Sequence, residues 1–124
     1  MHSYILQDWT TIRAASGLVT QGESGWLDLA PYQDVMFWVD VREYSGTTAP
    51  HILFQTAPIK EDGLFTSVAG GMADVTLSSV TNPTRVLITS SVPIARYVRW
   101  QLSGPGSAWD ATFRVLVAAN ALGL

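Results

Sequence analysis

The run from Val35 to Tyr44 constrains the fold of this chain more than any other stretch. It is rich in β-branched and aromatic residues and holds no glycine or proline. As a strand it places Val35, Phe37, Val39 and Val41 on one face, and Met36, Trp38, Asp40, Arg42 and Tyr44 on the other. The first face is wholly apolar and demands a core. The second begins apolar and turns polar, as a strand does when it leaves cover and meets water. A helix over the same residues would scatter Asp40, Arg42 and Glu43 without forming a clean stripe. The run is therefore expected to be a central strand of an antiparallel sheet.

The rest of the chain repeats this grammar in shorter pieces. Strand candidates are Ser3–Gln7 with a loosely alternating continuation to Arg13, an edge strand Leu18–Gln21, and the short Trp26–Leu29. His51–Thr56 reads as the strand returning from Val35–Tyr44, with Ile52, Phe54 and Thr56 on one face. Leu64–Val68, Met72–Val80 and Arg85–Ser90 follow, cut by Gly70-Gly71, Pro83 and Pro93. Arg96–Leu102 puts Val98, Trp100 and Leu102 inward and Tyr97, Arg99 and Gln101 outward. Trp109–Ala119 closes the chain with Phe113, Val115 and Val117 on its apolar face. The turn Gly104–Ser107 between these two predicts a final hairpin. The pattern predicts a single domain over residues 1–124, an all-β antiparallel sandwich or jelly roll of about eight strands. Phe37, Val39, Trp100, Phe113 and Val115 are the expected core.

Composition removes several functional classes. Net charge is −3, and one Lys and six Arg are scattered rather than clustered. No partner nucleic acid is expected, because nothing would follow a phosphate backbone. The absence of Cys removes disulfides, thiolate metal sites and a thiol nucleophile. No apolar run approaches the length of a membrane span, and no basic-then-apolar leader opens the sequence, so neither a membrane partner nor signal-directed export is expected.

Catalytic signatures do not assemble. The two histidines are His2, near the terminus, and His51, at a strand start. A triad would need His51 with a serine and a carboxylate, and there is no Gly-x-Ser-x-Gly elbow. Asp28, Asp34, Asp40, Glu61, Asp62 and Asp110 are explained by solvated faces and turns. Glu61-Asp62 lacks the spaced acidic pattern of a calcium loop. The expectation is no catalytic, cofactor or metal residue, and no enzyme.

What stands out is aromatic surplus and neutrality. Charged residues make up only 14% of the chain, which holds five Trp. Trp38 and Trp100 fall within alternating strands as core or sheet-covering residues. Trp9, Trp26 and Trp109 sit near turns, where a ring can anchor a protein interface or stack on a sugar. With Leu122 and Leu124 of the apolar C-terminal tail, they are the candidate interface residues.

Three stretches, Trp26–Val41, Leu53–Pro58 and Ala95–Trp100 with its closing strand, together resemble small β-sandwich virion proteins of tailed bacteriophages and related prophage-derived particles. That resemblance implies a structural virion protein made in the host cytoplasm and localised to the capsid. Its partners would be the major capsid protein or other virion proteins, and copies of itself in a homo-oligomer. The same strand grammar occurs in galactose-binding-like jelly rolls, so a carbohydrate-binding module is the alternative.

Overall fold

The protein is described from a computed structural model over residues 2–15, 17–29, 32–45, 51–67, 74–76, 84–87, 94–103 and 108–121. The described strands are β1 (His2–Ala15), β2 (Leu18–Thr20), β3 (Leu27–Asp28), β4 (Tyr32–Ser45) and β5 (His51–Ala57). They continue with β6 (Thr66–Ser67), β7 (Asp74–Thr76), β8 (Thr84–Leu87), β9 (Tyr97–Ser103) and β10 (Trp109–Ala121). Two short 3-10 turns, Glu23–Gly25 and Asp62–Leu64, interrupt them.

The strands form two antiparallel sheets. One has the order β1-β10-β4-β8; the other runs β2-β9-β5-β6, with β3 paired to β9 and β7 to β5. The sheets close on each other through their apolar faces. Phe37 of β4 stacks on Phe54 of β5 at 3.9 Å between ring centroids, and Trp100 of β9 meets Phe113 of β10 edge-on at 5.1 Å. This is the expected all-β sandwich. Phe37, Val39, Phe113 and Val115 are fully buried and Trp100 is 4% exposed, as their alternation requires. β4 lies between β10 and β8, an internal strand.

Two expected hairpins are instead arches between the sheets. β4 and β5 do not pair, and neither do β9 and β10: each crosses the core to the opposite sheet. Alternation fixes which side of a strand is apolar. A hairpin aligns two such sides in one sheet, whereas an arch sets them face to face, and both satisfy the same pattern.

β1 is also longer than expected. It is one 14-residue strand against β10, with register shifts between Ile5 and Gln7, Gln7 and Thr10, and Ile12 and Ala15. Each extra residue breaks the period of two, which is why Asp8–Arg13 alternates only loosely. The expected strand Leu64–Val68 is reduced to Thr66–Ser67, because Leu64 closes a 3-10 turn. Val68 lies outside the described residues, as do the outer parts of the Met72–Val80 and Arg85–Ser90 candidates.

Candidate functional site

On β9, Arg99 alternates outward from the core, yet it is only 4% exposed. Two turns fold over it. The turn Glu23–Gly25 delivers Trp26 and the turn Asp62–Leu64 delivers Phe65, whose rings meet edge to face at 4.6 Å. The Arg99 guanidinium lies 4.0 Å from the Phe65 centroid and 5.2 Å from that of Trp26. Its Nε donates to Gln55 Oε1 at 2.8 Å, and Nη1 to Asp62 Oδ1 at 2.6 Å. Gln55 donates to Gln101, which donates to Thr20, so a polar chain crosses this sheet to its β2 edge. With two aromatic rings packed beside its guanidinium and Nε and Nη1 engaged, Arg99 is a clasp holding two turns to the sheet.

Gln21 joins the two sheets. It is 4% exposed, and its Nε2 donates to the Leu6 carbonyl of β1 at 2.7 Å and to that of Gly25 at 2.9 Å. Its Oε1 accepts from the Trp100 amide at 3.2 Å, and its backbone carbonyl accepts from Trp26 Nε1 at 2.8 Å. Gly25 has no side chain for a reason: a Cβ there would come within 2.6 Å of Gln21 Nε2. Trp100 Nε1 donates to Gln7 Oε1 at 3.1 Å, a second tie from β9 to β1.

The opposite outer face, that of the β1-β10-β4-β8 sheet, is different. Ile5 pairs with Leu116, and Leu116 with Trp38, so the three form a row across the sheet on the side away from the core. Ile5 is 59% exposed, and Leu116 and Trp38 are half-buried with no strand above them among the described residues. In the neighbouring row Ser3 pairs with Ala118 and Ala118 with Met36. Small Ala118 leaves a hollow of about 410 Å³ between Ile5, Leu116 and Trp38. Farther along, the face becomes charged. Arg114 Nε donates to Asp40 Oδ2 at 3.1 Å, Arg13 meets Glu43 at 4.0 Å, and the Arg42 and Arg114 guanidiniums lie 4.4 and 4.9 Å from the Trp9 centroid.

The candidate interface residues are therefore not one cluster. Trp9 lies on the outer face of β1 with two guanidiniums on its ring, and Trp26 is half-buried beside Arg99 on the other side of the molecule. Trp109 is no surface anchor. It is 1% exposed, because β10 begins at it and turns its ring into the core. Leu122 and Leu124 lie outside the described residues. His51 pairs with Thr76 and Ser103 along the sheet, and Asp62 serves Arg99. Among the described residues no group of three or more His, Cys, Asp or Glu could hold a metal ion.

The residues missed were Ile5, Leu116 and Met36, with Trp38 recognised only as sheet-covering. The signal was present: Met36 and Trp38 are apolar on the outward face of the central strand, and Leu116 is apolar on the outward face of the last.

No family model matches the chain, and no curated protein matches it. Among solved structures, a chain from work described as "Bacillus endospore appendages form a novel family of disulfide-linked pili" is similar over 99% of this chain and 93% of its own. It shares 16% identity at a TM-score of 0.40. A likeness at that level carries no argument about function.

Proposed function

We propose that this domain is a structural, contact-making protein without catalytic chemistry, which decorates or stabilises a phage capsid through protein–protein contacts. One observation carries the contact-making part: the row Ile5–Leu116–Trp38 beside its hollow, an apolar strip with no strand above it among the described residues on a sheet face that turns charged farther along. Such a strip gains by burial at about 25 cal/mol per Å² before association costs. A hollow edged by a Trp side chain has the character of an interface hot spot. The capsid assignment rests on the sequence resemblance of Trp26–Val41, Leu53–Pro58 and Ala95–Trp100 to phage virion sandwiches. Sugar stacking draws less support, since the Trp9 and Trp26 rings already carry guanidinium groups.

Density-gradient sedimentation of particles from a lysate of cells carrying the gene tests the reading. The chain should travel with the capsid protein, and Leu116→Lys should leave it at the top of the gradient while folding is kept. Intact particles that never carry the parent chain would remove the capsid assignment.

A further inference from the structure

We propose that the outer face of the β1-β10-β4-β8 sheet packs against the same face of a second copy of this chain. The two-fold axis runs along the strands, between β10 and β4. The inference rests on the contact-making reading and names the partner.

Its two central strands are self-complementary under that operation, which also lays β1 of one copy over β8 of the other and the Ile5 position over that of Arg85. β10 of one copy lies over β4 of the other, so residues that are neighbours within a copy meet again between copies. Leu116 pairs with Trp38 in the sheet and would cover Trp38 of the second copy. Ala118 pairs with Met36 and would sit over Met36 of the second copy, small against large. The hollow lies between β1 and β10, so it is the Trp38 side chain of the second copy that is placed over it.

Charge follows the same rule. Arg114 and Asp40 are paired in each copy at 3.1 Å. The axis sets Arg114 over Asp40 of the second copy and Asp40 over its Arg114, giving a square of alternating sign.

Size fits as well. β1, β4 and β10 are 14, 14 and 13 residues long and β8 is 4. At ~4.8 Å between strands and ~3.4 Å per residue, the face projects an area on the order of 700 Å². Each partner of a standard interface buries about 800 Å².

Sedimentation equilibrium on the full chain tests this. The parent should weigh twice the 13.5 kDa of one chain. Leu116→Lys should return the single-chain mass with an unchanged far-UV circular dichroism spectrum, its dissociation constant raised at least ~100-fold. Ile5→Lys, at a side chain that is already 59% exposed and so safe for folding, should weaken the dimer in the same direction. Leu64→Lys, on a turn belonging to the other sheet, should leave it intact. A parent of single-chain mass at millimolar concentration overturns the self-packing, as does a dimer that survives both Leu116→Lys and Ile5→Lys. The particle sedimentation separates the two ideas: a monomer that still travels with particles loses the self-packing and keeps the contact-making reading.

Discussion

Two tryptophans of similar burial have opposite hydrogen-bond fates, and this gives the sharpest tests at the residue scale. Trp100 Nε1 donates to Gln7, whereas the buried Trp109 Nε1 has no hydrogen-bond partner among the described residues. An unsatisfied buried donor costs about 1–3 kcal/mol, which offsets much of what the larger ring gains by packing. Trp109→Phe should therefore melt within about 1 kcal/mol of the parent, while Trp100→Phe loses both volume and a bond and should fall further. Trp100→Ala should cost on the order of 3–5 kcal/mol, read by urea denaturation. A Trp109→Phe protein destabilised as much as Trp100→Ala would show that the Trp109 ring, not its orphan N–H, dominates. Gln21 is the other exposed wager of the account. Gln21→Leu strands the Leu6 and Gly25 carbonyls and the Trp100 amide, and should cost about 2–4 kcal/mol. Gly25→Ala should lower stability in the same assay by about 1–3 kcal/mol, since its Cβ would collide with the Gln21 side chain. Nothing in the sequence marked Gln21, because its role depends on an edge of each sheet meeting at that point.

At the scale of elements, strand identity was legible and sheet membership was not. The faces of β5, β9 and β10, and of β4 as far as Val39, follow directly from alternation; beyond that a register shift leaves Val41 partly buried and pairs Tyr44, expected outward, with buried Ala111. What alternation leaves open is whether consecutive strands turn within a sheet or arch over the core. Both expected hairpins, Val35–Tyr44 with His51–Thr56 and Arg96–Leu102 with Ala111–Val117, go the second way. Register shifts hid β1 for a related reason, since a bulge reads as lost periodicity. Arg99 was correctly placed outward, but the turns that bury it are 37 residues before it at Asp62 and farther still at Trp26. These long-range covers have no local signal. Arg99→Ala removes the ring contacts and the bonds to Gln55 and Asp62, and should cost about 2–4 kcal/mol. Asp62→Ala should cost about 1 kcal/mol or less, because the Asp62 side chain is 81% exposed and water takes its place. Equal losses from the two variants, compared by denaturant midpoint, would mean the ion pair and not the stacking holds the clasp.

At the scale of the whole molecule, the two outer sheet faces divide the work. The β2-β9-β5-β6 face is covered at Arg99 by its own turns and carries a polar chain from Asp62 to Thr20, with Leu18 exposed at its β2 edge. The β1-β10-β4-β8 face is left with Ile5, Leu116 and Trp38 uncovered beside neutralised charge. The candidate site was legible in outline only. Surplus tryptophan pointed toward a contact-making surface; of the rings near turns, Trp109 is core and Trp26 is half-buried beside Arg99. Outward apolar residues in the middle of long strands mark the proposed contact face, because a strand side chain with no cover in its own chain is the one left for another. Amide hydrogen exchange, compared between dilute chain and the same chain in its assembled or particle-bound form, tests this division most directly. Protection on assembly is expected at residues 3–7, 36–40 and 114–118. Unchanged exchange there, with new protection around Trp26 and Phe65, would contradict it.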